Sequence, residues 1–292
     1  NDNKDGYKKY YKDEKDIEKM IVISNSETQL FDNSIIINYK NDDSSSLDNL
    51  LWIYKGQVNE NNEQHGYGEF LSKNGIKKYG YWKNGELDGW GCMINPNDMV
   101  IIGYFKEGSL NGKGEKYSVN TKSVYIGNFE DNKKSGEGEE DTIEGKYVGM
   151  FKNDKKNGNG KMIYKLSGDT YEGEFKNDLF DGNGHYIWKS SEQEYKGEYK
   201  NGLMHGKGLY EWSEGEYYRG EFNEGKKEGQ GEIHWANGRS FIGPFKNGRP
   251  NGIGIFDNGI SFKGEMEFID GKMNIRYLSK NYSDQNSLSS KS

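Results

Sequence analysis

The sequence predicts an all-β fold: an elongated, single-layer antiparallel sheet built from repeated β-hairpins and twisted so that one face forms an aromatic groove. Three observations predict it. The stretch YEGEFKNDLFDGNGHYIW at 171–188 recurs with small changes as YKGEYKNGLMHGKGLYEW at 195–212 and YRGEFNEGKKEGQGEIHW at 218–235. Within each copy apolar and charged residues alternate with a period of two, the signature of a strand with one buried face. The 292 residues include 41 glycines and 14% aromatics but only 32% hydrophobic side chains, so burial falls to rings rather than to an aliphatic core.

Aligned on the third residue of aromatic-x-Gly-x-aromatic, the chain gives Gly56, Gly80, Gly103, Gly127, Gly149, Gly173, Gly197, Gly220, Gly243 and Gly264, spaced 21 to 24 residues apart. A Gly-x-Gly falls between consecutive members, from Gly66 and Gly68 to Gly252 and Gly254. This makes nine full units and a truncated tenth over residues 51–278. In a unit such as the sixth, the first strand carries Tyr171, Gly173 and Phe175 on one face and Glu172 and Glu174 on the other. A KND or KNG segment follows, and its Asn, Asp and Gly tolerate the positive φ of a tight hairpin turn. The returning strand puts Gly182, Gly184, Tyr186 and Trp188 on the first face.

Glycine weakens a strand, so its fixed placement needs a cause: it leaves bare backbone as a socket for a ring of the neighbouring unit. Three ring columns result. The first runs Tyr54, Tyr125, Tyr147, Tyr171, Tyr195, Tyr218, Phe241 and Phe262; the second runs Trp82, Phe105, Phe129, Phe151, Phe175, Tyr199, Phe222 and Phe245; the third is Trp188, Trp212 and Trp235. The opposite face is mostly charged. A lone hairpin does not hold in water, so stability comes from stacking unit on unit.

The recurring pattern YxGxFxxGxxxGxG resembles the MORN repeat (membrane occupation and recognition nexus) over about Leu51 to Leu278. The resemblance implies an elongated single-layer sheet with a ring-lined groove, in proteins that share a repeat and not a reaction: junctophilins, radial-spoke head proteins, cytoskeletal scaffolds, plant phosphoinositide kinases and some lysine methyltransferases. Lys78 and Ile101 stand where the pattern has Tyr, and Val58 stands in the second column, so the N-terminal units are expected to pack less tightly.

The flanks differ. Residues 1–20 and 279–292 are polar and aperiodic and read as disordered segments, and 21–50, with its short β-branched runs, reads as a β cap or linker. The single cysteine, Cys92, forms no internal disulfide, which favours a reducing, cytoplasmic setting, and the resemblance implies a place there at the cytoskeleton or the cytoplasmic membrane face. No apolar run in the sequence reaches the length that spans a bilayer as a helix.

No catalytic constellation is read. Gly-rich stretches such as GNGKM at 158–162 lack the phosphate-loop spacing and recur in every hairpin, and Asp131 to Thr142 lacks the oxygen ligands of a calcium loop. His65, His185, His205 and His234 sit in different units, without metal-ligand spacing, so no metal and no cofactor are expected. Residues 51–278 hold 31 Lys and Arg against 35 Asp and Glu, which argues against nucleic acid.

The reading is a non-catalytic scaffold that binds protein partners, with an amphipathic helix in a groove lined by Tyr171, Phe175, Trp188, Tyr195, Tyr199, Trp212, Tyr218, Phe222 and Trp235. A second copy of the chain is an alternative occupant, giving a homodimer. Leu179, Phe180, Leu203 and Met204 form an apolar edge that either docks a partner or folds back on the sheet. Lys133, Lys134, Lys155, Lys156, Lys226 and Lys227 form a candidate lipid edge, which supports an alternative reading as a phosphoinositide or anionic-membrane anchor. A third reading is the regulatory segment of a larger kinase or methyltransferase.

Overall fold

A computed structural model describes residues 35–40, 50–96 and 98–274, with the backbone alone at 35–40 and 50–51. The expectations for 1–20, for 21–34 and 41–49 of the 21–50 cap or linker, for 275–278 of the repeat array and for 279–292 lie outside the described residues. Described residues fall into two compact units. The first takes residues up to Pro96 together with Phe105–Gly108, and the second takes 98–104 and Ser109 onward.

The first unit contains β1 (Ile35–Lys40), β2 (Leu50–Val58), β3 (Gln64–Ser72), β4 (Lys77–Lys83) and β5 (Glu86–Asn95). Each pairs antiparallel with the next. After β6 (Met99–Lys106) come β7 (Ser109–Ser118), β8 (Ser123–Glu130), β9 (Lys133–Asp141), β10 (Gly145–Lys152), β11 (Lys155–Tyr164), β12 (Thr170–Lys176) and β13 (Leu179–Trp188). The second unit continues through β14 (Gln193–Lys200), β15 (Leu203–Glu211), β16 (Tyr217–Asn223), β17 (Lys226–His234), β18 (Ser240–Lys246), β19 (Arg249–Pro250), β20 (Gly252–Asp257), β21 (Lys263–Ile269) and β22 (Lys272–Met273). The described residues include no helix. The protein is all-β, and within each unit the contacts run between neighbouring antiparallel strands of one layer.

From the second repeat onward, the two-residue turn inside each hairpin has positive φ at both central residues, as at Asn177 (51°) and Asp178 (71°) or Asn201 (51°) and Gly202 (83°). That is the geometry of a type I′ turn, whose twist matches the flanking strands. The turn also ties one repeat to the one before it. Asp178 donates its N–H to the Lys156 carbonyl at 3.0 Å and accepts the Lys156 N–H at 2.8 Å through its carboxylate. Asp154 and Lys134 repeat the arrangement, with 3.1 Å and 2.9 Å.

The two glycines of Gly-x-Gly turn out to have different jobs. The second opposes the motif glycine across the hairpin, as Gly184 opposes Gly173 and Gly208 opposes Gly197. A methyl group at Gly184 would lie 2.5 Å from Cε2 of Tyr171, so the socket is filled by a tyrosine of the same hairpin and not of its neighbour. The first glycine of each pair sits in a β-bulge with positive φ, for example Gly182 at 107°. It is required by backbone conformation and houses no ring.

The socketed tyrosines form the core. Tyr54, Tyr147, Tyr171, Tyr195 and Tyr218 are among the most deeply buried side chains. Each hydroxyl donates to the carbonyl three residues on in its own strand, as Tyr171 does to Glu174 at 2.9 Å and Tyr195 to Glu198 at 3.0 Å. Repeats are joined by the second column. Phe175 lies 5.0 Å from Tyr171 and 5.1 Å from Tyr147 of the preceding repeat, edge to face in both cases. The zipper runs on through Tyr171–Tyr199, Tyr195–Phe222 and Tyr218–Phe245, so a ring of each hairpin closes over its predecessor.

Three sequence expectations need correction. Where Lys78 and Ile101 replace tyrosine, packing is not loose, because Leu87 and Leu110 turn into the vacant space beside Gly91 and Gly114 and are 2% and 1% exposed. The last repeat is not in register at Gly264, because Met266 opposes Gly254 and Phe268 takes the second-column place against Phe241 at 4.7 Å. The Asp270–Gly271 turn, two residues past Phe268, sets that register. The opposite face of the first unit is not mainly charged: Tyr81 is 53% exposed and Trp90 54%.

Burial pushes the phenols of Tyr54 and Tyr147 up to about 12, aided at Tyr147 by the Asp178 carboxylate. They stay protonated in the fold while the unfolded chain ionises near 10.0, so their contribution to stability is complete below that value and lost as pH rises to about 12. Urea unfolding midpoints should therefore fall across that window together with the appearance of phenolate absorbance. Ionisation of Tyr54 or Tyr147, followed residue by residue by NMR, at ordinary tyrosine pH with the sheet intact would contradict this packing.

Candidate functional site

The zipper closes the floor of the expected groove. Tyr171, Phe175, Tyr195, Tyr199, Tyr218 and Phe222 are at most 6% exposed, so these six of the nine groove residues are core and present no contact surface. Their burial comes from the glycine sockets and from edge-to-face packing within and between repeats. Trp188, Trp212 and Trp235 remain half-buried.

Around two of these indoles lies a stripe formed by the returning strands β13 and β15. Tyr186 and Trp188 are 4.5 Å apart, Trp188 and Tyr210 5.4 Å, and Tyr210 and Trp212 4.5 Å, all tilted by 33–42°. Alternation places these four residues on the zipper face, and all are partly open to solvent. Their hydroxyls are anchored. Tyr186 donates to Asp169 at 3.1 Å and Tyr210 to Gln193 at 2.6 Å, each acceptor standing two residues before a socketed tyrosine. Asp169 also accepts the Lys189 N–H at 2.9 Å.

Beside the stripe runs a row of side chains that lie over the zipper, each opposite a second-column ring: Lys134, Lys156, Phe180, Met204 and Lys227. Phe180 stacks on Tyr171 at 3.7 Å. Lys134 lies 5.3 Å from the Tyr125 ring and Lys156 5.4 Å from that of Tyr147. Lys227 lies 4.5 Å from Trp212 and 5.3 Å from Tyr218, where burial lowers its pKa against the opposing pull of Glu216. Lys134 also pairs with Glu140.

This row divides both proposed edges. Phe180 and Met204 fold over the zipper, whereas Leu179 and Leu203 point to the opposite face and are 48% and 50% exposed. Lys134, Lys156 and Lys227 likewise turn inward as covers, and only Lys133, Lys155 and Lys226 of the candidate lipid edge are exposed. The period of two separates the members of each pair, since the first residue opposes the strand-end lysine or its equivalent and the second opposes the ring.

The glutamate after the motif glycine, expected on a solvated face, has a structural role in three repeats. The carboxylates of Glu174, Glu198 and Glu221 reach over the bulge glycine and accept the N–H of Asn183 (2.8 Å), Lys207 (2.8 Å) and Gln230 (3.3 Å). The spacing of Gly-Glu from Gly-x-Gly held that signal. The histidines stay apart. His185 meets Glu194 at 2.6 Å and His234 meets Glu232 at 2.8 Å, while no metal-binding cluster occurs among the described residues.

A sheet of tandem hairpins with socketed tyrosines and a half-open indole stripe defines a repeat scaffold. The MORN-repeat model matches residues 54–77, 79–100, 125–142, 147–165, 171–192, 195–217, 218–238 and 241–259. The chain belongs to the MORN-repeat family. The unmatched stretch 101–124 is the one where Ile101 replaces tyrosine and Leu110 occupies the socket. No curated protein matches the chain. Among solved structures it is similar to the TCP10 domain of Danio rerio CPAP, at 11% identity and a TM-score of 0.35 over 67% of this chain and 89% of that one. It is also similar to the SAS-4 (dCPAP) TCP domain of Drosophila melanogaster, solved with a proline-rich motif of Ana2, at 8% identity and a TM-score of 0.33 over 55% and 84%.

One buried group lacks a partner. The Tyr199 hydroxyl makes no hydrogen bond among the described residues, and burial raises its pKa strongly. The same column holds phenylalanine at Phe151, Phe175, Phe222 and Phe245. Tyr199→Phe is therefore expected to stabilise the chain by about 1 kcal/mol, because it removes an unpaired hydroxyl and keeps the ring. A loss of that size in chemical denaturation would show that the hydroxyl has a partner.

Proposed function

We propose that this chain is a non-catalytic scaffold that binds a protein partner through the Tyr186–Trp188–Tyr210–Trp212 stripe, taking the apolar face of an amphipathic helix. The observation that carries the reading is the contrast between a closed floor and a partly open stripe: first-column tyrosines are fully buried, while the indoles beside them are only half-buried, with their neighbours' hydroxyls already fixed. Preordered rings with few rotamers lose little entropy on binding, which suits a docking surface. The family is built on a repeat rather than on an active site, and the scaffold role fits a cytoskeletal or membrane–cytoskeleton assembly in the cytoplasm.

Anchoring to anionic membranes finds less support. Half of the lysines on which it rested lie over rings on the zipper face and not along the turn edge, leaving Lys133, Lys155 and Lys226 as the members exposed at that edge.

Crosslinking mass spectrometry in the native cell identifies the neighbour, and binding to that protein is then compared among variants. Trp188→Ala and Trp212→Ala should each weaken the complex by roughly 2 kcal/mol while the sheet stays folded, as central aromatic anchors do. Unchanged affinity in both variants would overturn the assignment of this stripe.

A further inference from the structure

The covering row beside the stripe changes chemistry along the chain. It reads Lys134, Lys156, Phe180, Met204, Lys227, so apolar covers stand over the zipper where the indole stripe opens and cations stand on both sides of it. Equivalent register places these side chains on one face, one repeat apart. With two strands per repeat at about 4.8 Å each, Lys156 and Lys227 are about 29 Å apart along the sheet.

We propose that the stripe selects a partner segment with an apolar centre and carboxylates at both ends, one end meeting Lys156 and the other Lys227. The proposal rests on the reading of the stripe as the docking surface. A helix rises 1.5 Å per residue, so the matching acids lie about 19 residues, or roughly five turns, apart. The acids on this face explain why the central part must be neutral. Asp169 stands beside the stripe at its Tyr186 end, held by the Tyr186 hydroxyl and the Lys189 N–H, and repels a carboxylate placed there. Glu140 already neutralises Lys134, which makes Lys156 the cation that bounds the stripe on that side. On the other side Glu216 faces Lys227 but also accepts the Ala236 N–H at 3.1 Å.

The test uses the full chain and a displayed library of random segments about 20 residues long, selected at low salt. Enrichment of Asp or Glu at both ends of an apolar centre is expected. Chosen segments should bind Lys156→Met and Lys227→Met each roughly fivefold more weakly, with less dependence on salt. Methionine is tolerated at this position because Met204 already occupies it. Binders that need Trp188 and Trp212 yet carry no acidic ends, or carry basic ones, overturn the proposal and leave the docking surface standing. Acid-flanked binders indifferent to Trp188→Ala and Trp212→Ala overturn the docking surface and the proposal with it.

Discussion

The fold depends on one close approach: a tyrosine ring lying flat on two glycines that face each other across a hairpin. A sheet of one layer has no second sheet to bury its rings against, so each ring must find apolar surface within its own layer. Bare backbone at Gly184 and Gly173 supplies it for Tyr171, and the hydroxyl then reaches the Glu174 carbonyl. Tyrosine fits this better than phenylalanine because its polar tip ends at the bulge, where a carbonyl is turned toward it. Once the ring is fixed, its exposed edge becomes the surface on which the next repeat's phenylalanine packs. Socket and zipper are thus one interaction propagated from repeat to repeat, and nearest-neighbour coupling of this kind is what makes a repeat array cooperative.

Much of this could be read from residues alone. The period of two, the Asn-Asp and Asn-Gly turns and the regular glycine spacing fix strand, turn and repeat with no tertiary information. What could not be read is which ring fills which socket. A glycine required for positive φ and one required for space look alike in sequence, and Gly182 and Gly184 differ only in the backbone they serve. Substitution also hid compensation. Leu87 and Leu110 fill the sockets left by Lys78 and Ile101 from the opposite strand, through a contact that no spacing rule within one strand reveals. At the last repeat a glycine-based alignment places Gly264 two residues out, because the turn governs pairing.

The candidate site was legible in part. Aromatic columns were visible, but alternation could not separate rings consumed by the zipper from rings left over. Tyr171 and Trp188 lie on the same face, yet only Trp188 lies beyond the reach of the next repeat's second-column ring. The covering row was hidden for a related reason. A lysine pair such as Lys226 and Lys227 reads as surface charge, although the second member spends its aliphatic stem and ammonium on Trp212 and Tyr218. The candidate site is what packing leaves unused, and that remainder is set by the three-dimensional closure of the zipper.

The central claim is most directly tested by a double-mutant cycle between Tyr195 and Gly208, whose added methyl would meet only the Tyr195 ring among its nearest neighbours. In the native background Gly208→Ala should cost roughly 3 kcal/mol through overpacking. In a Tyr195→Leu background the same change should cost far less, giving a coupling on the order of 2 kcal/mol in chemical denaturation. Additive effects, with Gly208→Ala equally costly in both backgrounds, would show that the glycine serves the backbone and that the ring does not occupy its space.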